Sequence, residues 1–296
     1  MSFLNNVITG NSLGSIYAII ALGYTMVYGI AKMLNFAHGD IIMVGGYVCF
    51  LVMGSLGLPP VVGVLLAVVA CTALGIFIER LAYKPLRAAP SLAVLITAIG
   101  VSYFLQNSAQ LLWGADSKVF TPIVGVSGNS GLELIPGQLS ISYVAILSIV
   151  CCAVVMAALT WFTGQTKLGK AMRACSEDKG AAQLMGINVN ATISMTFAIG
   201  SALAAIAGVL MCSAYPVLSP TVGSMPGIKA FTAAVFGGIG SVPGALLGGI
   251  LLGVIETFAK AYISTELSDA VVFAVLIVVL LVRPAGLLGK YVPEKV

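Results

Sequence analysis

The sequence predicts an all-α polytopic membrane protein with about eight transmembrane helices and one broken or re-entrant half-helix. Three observations carry that expectation. Hydrophobic residues make up 59% of the 296-residue chain and charged residues only 8%, with mean hydropathy +1.09, whereas soluble domains are about a quarter charged. Uncharged runs extend over Phe3–Ala31, Ile41–Ile78, Ala88–Ala115, Leu134–Thr166, Gly180–Ile228 and Ala230–Ile255, each long enough for the ~20 apolar residues that a crossing helix needs. The 34 glycines and 12 prolines suit close-packed and interrupted membrane helices, because small residues let backbones approach in lipid. The alternating segments of a β-barrel are missing. The chain reads as a single transmembrane domain over residues 1–296.

Taken in order, Gly10–Ile30 forms the first crossing. The first charge is Lys32, so the positive start of a cleaved leader is missing and this helix is expected to be retained. Ile41–Leu56 and Pro60–Ile78 follow, then Leu92–Leu112 and Ser140–Phe162. Ala191–Ser213, Gly244–Ala261 and Ala270–Leu288 complete the eight. Short cytoplasmic loops are enriched in Lys and Arg. Glu79–Arg87 holds three basic residues, Gly164–Asn190 four and the tail from Arg283 three, which puts all three on the cytoplasmic side. Trp113–Gln138 and Tyr262–Asp269 are poor in basic residues and face outward. With an outer N-terminus, parity closes only if Lys229–Gly240, KAFTAAVFGGIG, returns through the membrane. It is too short to span alone and reads as a half-helix. Broken helices at membrane depth are tolerated only against protein or a water-filled cavity, so Phe236, Gly237 and Gly238 are candidates for the wall of a translocation pathway.

The polar stretch GQTKLGKAMRACSEDKGAAQLMGINVN, Gly164–Asn190, carries six of the 24 charged residues and must lie outside the hydrocarbon. From Lys170 the small positions Ala171, Ala174, Cys175, Ala181 and Ala182 recur at three- and four-residue steps, which predicts one short amphipathic rod stopped at Gly186. Such a rod fits a groove on a partner; a solvated loop is the plain alternative.

Two further motifs stand out. In LNFAHGDIIMVGGY, Asn35, His38 and Asp40 cluster between hydrophobic helices, and His38 is the chain's only histidine. Ionisable residues at membrane depth are costly and face a cavity or a partner, so these three are candidates for lining the pathway, with His38 and Asp40 paired. Alternatively Asn35 caps a helix and Asp40 sits in its first turn, favouring the dipole. In GGIGSVPGALLGGILLGVIE, glycines four to five residues apart leave one helix face nearly bare, the pattern of tight helix contact. Glu256 and Lys260 stand at i,i+4 in the favourable order for a salt bridge. The six cysteines show no metal-ligand spacing and read as small apolar side chains. No Walker loop GxxxxGK[ST] is present, so the chain is not expected to bind ATP or any other cofactor or metal itself.

The runs GKAMRACSEDKGAAQLMGIN, NFAHGDIIMVGGY and AAVFGGIGSVPGALLGGILLGVIE together resemble ABC importer permeases of the branched-chain amino acid, LivH-type family. The resemblance implies a bacterial inner (cytoplasmic) membrane protein that moves branched-chain amino acids or similar small polar solutes. Residues 164–190 would be its cytoplasmic coupling loop, with Gly169, Arg173, Glu177, Asp178, Ala181 and Gly186 at the coupling positions. It implies a second permease subunit, two nucleotide-binding ATPase subunits carrying ATP and Mg, and a periplasmic or extracellular substrate-binding protein, with no nucleic acid. Urea or short-chain amide permeases are similar, so the solute stays open. An ion-coupled secondary transporter using His38, Asp40 or Glu256, and a passive channel, are the rival classes.

Overall fold

The computed structural model describes residues 2–87, 89–124, 131–135 and 139–289. Lys290 and Lys295 of the basic tail and residues 125–130 and 136–138 of the outer loop lie outside them. The helices are α1 (Ser2–Ala31), α2 (His38–Gly54), α3 (Pro60–Ile78), α4 (Ser91–Trp113), α5 (Tyr143–Gln165), α6 (Lys167–Glu177), α7 (Lys179–Leu184), α8 (Val189–Ala214), α9 (Ser224–Gly237), α10 (Val242–Tyr262) and α11 (Ser268–Val282). Six are long and apolar enough to cross a membrane, and α2 and α11 are shorter apolar helices. Together with α9, the half-helix of the sequence reading, they make an all-α polytopic membrane fold, with six full-length spans among the described residues where the sequence predicts about eight. Two features were not legible. A π-helical turn, Glu79–Tyr83, extends α3, and two antiparallel strand pairs form: β1 (Lys118–Val119) with β4 (Val217–Leu218), and β2 (Gly131–Ile135) with β3 (Leu139–Ser142).

Helix α1 is the axis of the fold. Its apolar stretch is 94% buried, against 17% for α4, because α8, α9, α10 and α5 surround it. The tightest contact is with α10, where no side chain separates the backbones: a Cβ at Gly253 would strike the backbone of Gly14, and one at Gly249 that of Ala18. The bare glycine face of the sequence is therefore a packing seam, as small-residue spacing implies in lipid. Around this centre α3, α4, α5 and α11 present Leu65, Phe77, Phe104, Val154 and Leu281 outward, the surface that hydrocarbon covers.

The basic loops come together at one end. Lys179 lies against the end of α1, beside Lys32 and Arg87, and Arg87 reaches both Glu79 and Asn190. At the other end β1 ties the outer loop to the chain after α8, with Phe120 N–H donating to the Pro216 carbonyl at 3.2 Å. The segregation of basic residues to one end marks that end as cytoplasmic.

Candidate functional site

The cytoplasmic segment is two helices rather than the single rod that its spacing predicts. Asp178 sits in extended conformation between them and accepts from the N–H groups of Gly180 at 2.7 Å and Ala181 at 3.0 Å, capping α7, a position that aspartate favours. Thr166 caps α6 in the same way through Gly169 N–H at 2.9 Å. The inward face also differs from the expected alanine stripe: Gly169, Met172, Cys175 and Ala182 are buried, while Ala181 is exposed. Arg173 and Glu177 are exposed, Arg173 donating to the Gly164 carbonyl at 3.2 Å. Gly186 adopts φ +82° and ends the segment.

Sequence reasoning missed Leu184 and Met185, which are 90% and 82% exposed beside that stop. Their signal was two large apolar residues following the last small position of α7. It also missed Lys179, whose ammonium donates to the Ala31 carbonyl at 2.7 Å. This bond fixes α7 to the C-terminal end of the central helix, where Lys32 holds a left-handed φ of 57°. Burial, then repulsion from Arg87 and Lys32, lowers the Lys179 pKa below the usual lysine value. A cavity of about 650 Å³ lies behind α6, reached by Thr25, Lys32, Arg173, Glu177 and the α9–α10 turn.

The second group lies within the membrane. The His38 ring packs on Tyr24 at 4.6 Å and fills the space beside Gly23. Those residues precede the end of α1 by seven and eight positions, about 10–12 Å at the helical rise. Helix α2 therefore begins deep in the bilayer, and so does α9: a Cβ at Gly39 would lie 3.3 Å from the Gly227 Cα. Two half-buried starts thus meet, neither with a side-chain cap. Asp40 stands at this junction and accepts from Gln106 Nε2 at 2.8 Å, and the same amide reaches Ser224 at 3.2 Å.

Asn35, His38 and Asp40 are all buried, but the expected His38–Asp40 pair does not form. Asp40 turns to α4, and His38 Nε2 is buried without a hydrogen-bond partner. Asn35 does not cap α2 with its side chain; its Oδ1 accepts from the Tyr83 hydroxyl at 2.8 Å. Asp40 does occupy the first turn of α2. The half-helix starts at Ser224 rather than Lys229, because Pro226 suits a first helical turn. Phe236, Gly237 and Gly238 close the α9–α10 turn, where the Phe236 and Gly237 carbonyls accept from Leu287 and Leu288 N–H at 3.0 and 2.9 Å. They are covered by the chain after α11, and residues 239–243 line the 650 Å³ cavity instead.

At the outer end the expected Glu256–Lys260 bridge forms at 2.6 Å. It belongs to a larger group: Lys229 bonds Glu256 at 2.8 Å and Asp269 at 2.6 Å, and Tyr17 donates to Glu256 at 2.9 Å. Among the described residues no cluster of three or more His, Cys, Asp or Glu could hold a metal ion.

Half-helices meeting at membrane depth around polar residues, inside a shell of lipid-facing helices, define a multi-pass membrane transport protein. Residues 6–280 match the family described as branched-chain amino acid transport system / permease component, and the chain belongs to that family. It is 46% identical to the high-affinity branched-chain amino acid transport system permease protein LivH of Salmonella typhimurium, covering 99% of this chain and 98% of that one. The corresponding protein BraD of Pseudomonas aeruginosa gives the same identity and coverage. The probable branched-chain amino acid transport permease protein LivH of Methanocaldococcus jannaschii is 28% identical over 93% of this chain and 89% of its own.

Proposed function

We propose that the chain is the membrane-spanning subunit of an ATP-driven importer of the inner membrane, carrying branched-chain amino acids or similar small solutes. It pairs with a second permease subunit, the same or a related chain. Two ATPase subunits bind ATP and Mg and dock on α6 and α7 through Arg173, Glu177, Asp178, Ala181 and Gly186, with Gly169 setting the seat of α6. A binding protein delivers solute to the outer ledge where β1 and β4 join. The route inward passes Asn35, His38 and Asp40 and reaches the cavity lined by residues 239–243 of the α9–α10 turn.

The single observation that carries this reading is the bond from Lys179 to the Ala31 carbonyl. It gives an exposed amphipathic segment a direct hold on the buried central helix. A ligand-driven switch needs contacts that differ between two states, and an ATPase pulling on α7 shifts the end of α1 by this contact. The test is uptake into proteoliposomes containing the assembled importer. Leucine uptake should require ATP and binding protein and survive collapse of ion gradients, and R173A or E177A should lower uptake per ATP about tenfold or release the ATPase. Uptake that outlives ATP removal and fails with the ion gradient would return the chain to the ion-coupled class. Urea and acetamide, offered with their own binding proteins, test the solute.

A further inference from the structure

The outer ionic group exceeds what a mechanical tie needs. Lys229 and Glu256 are 6% and 1% exposed, and replacing buried ion pairs by apolar packing is often neutral or stabilising. Beside them lies a cavity of about 260 Å³. Its polar side is Lys229, Glu256 and Lys260, with Tyr17 donating to Glu256. Its other walls come from Leu13, Met211, Val222, Met225 and Pro226, with Tyr215 adding a phenol.

The hydrogen-bond inventory leaves room for a guest. Two ammonium groups bring six N–H donors. Lys229 spends two, on Glu256 and Asp269, and Lys260 one, on Glu256, so three remain. Asp269 is more than a third exposed and takes Lys229 through Oδ1. Two positive and two negative groups balance. A guest with net charge would leave an uncompensated ion in a poorly solvated place, whereas a zwitterion adds none.

We infer that this cavity is an outward-facing subsite for a zwitterionic α-amino acid with an aliphatic side chain. The guest's carboxylate takes the spare N–H donors of Lys229 and Lys260, and its ammonium faces Glu256, while Asp269 holds Lys229 from outside the cavity. Its side chain lies among Leu13, Met211, Val222 and Pro226. The site stands two helical turns outward of the half-helix junction, since Tyr17 precedes Tyr24 by seven residues on α1, and Val222 and Pro226 flank the start of α9. Solute released from a delivering protein would meet this cavity before the junction. The inference rests on reading the chain as an amino-acid permease and adds where the solute first binds.

The test uses the assembled importer in lipid nanodiscs, without binding protein, and radiolabelled leucine. Leucinamide, which lacks the carboxylate, and 4-methylpentanoate, which lacks the ammonium, should each compete at least about tenfold more weakly than leucine, the scale of one lost charge-assisted hydrogen bond. K260Q should weaken leucine binding by a similar factor and K260R restore most of it. Competition by either analogue as strong as leucine's own overturns the site, as does absence of leucine binding by the unaltered protein. K260Q that melts earlier yet binds leucine normally also overturns it, leaving a structural tie. The analogue competition needs no variant, so misfolding cannot hide the answer. ATP-driven leucine uptake without binding here removes the subsite and keeps the proposed function; no leucine uptake under any condition removes the function itself.

Discussion

The α1–α10 seam and the α6–α7 segment are built from similar small residues and put them to opposite use. In the seam, Gly14, Ala18, Gly249 and Gly253 admit one backbone against another, and no charged residue lies within the interlocked stretch. In α6–α7, Gly169 and Ala182 bury a narrow stripe while Arg173, Glu177, Leu184 and Met185 remain outside. Small residues alone do not say whether a helix is locked or presented; the partners of the intervening positions do. The seam makes α1 and α10 one body, and the segment is the part of the chain free to meet another protein.

The comparison breaks most readily at the seam. Gly253→Val drives a branched side chain into the Gly14 backbone, which cannot rotate away, and should cost about 3 kcal/mol. Gly164→Ala, at a glycine with open space around it, should hold or slightly raise stability, by about 0.5–1 kcal/mol. Melting of the two detergent-purified variants checks this, and equal behaviour would show that the seam is not rigid. A smaller effect is expected at the segment. Leu184→Ser with Met185→Ser should leave folding within about 0.5 kcal/mol, as exposed positions do, while ATPase co-purification falls about tenfold. Retained co-purification moves the docking surface elsewhere.

Lys179 joins the two regions and sharpens the contrast further. K179M should leave ATP hydrolysis running while leucine uptake per ATP drops several-fold, because the pull on Ala31 is lost. The smallest effect is on pH dependence. The folded chain holds the Lys179 pKa below that of the unfolded chain, so it binds fewer protons through that interval. The group's contribution to stability therefore rises as pH climbs toward the ordinary lysine value. Comparing melting of K179M and the unaltered chain from pH 7 to 10 should show that rise only in the latter, and modestly, because the ammonium is partly solvated.

Much of this architecture was legible because the bilayer constrains it. The all-helical membrane class, the half-helix and the end carrying the basic loops follow from run lengths and charge placement, while two of the eight predicted crossings are shorter apolar helices. Side-chain partners were less legible. His38 and Asp40 stand two apart, yet they turn to α1 and α4. Asn35 suits a cap, but Tyr83 on the π-helical turn reaches it first. Asp178 was counted among the charges of one rod, although its short carboxylate competes for the backbone and starts a second helix.

What the sequence by itself determined was the solvent of each segment, since a charge or its absence over twenty residues decides between water and hydrocarbon. It also determined the small-residue face of α10. Only the tertiary structure decided that α2 and α9 begin at the same depth, that Lys229 and Asp269 join Glu256, and that Lys179 holds the end of α1. These contacts link residues 27 to 188 positions apart, from Lys229–Glu256 to Gly39–Gly227, and no local periodicity encodes them. They arise because polar groups at membrane depth, with no water to turn to, take the partners that packing brings within reach.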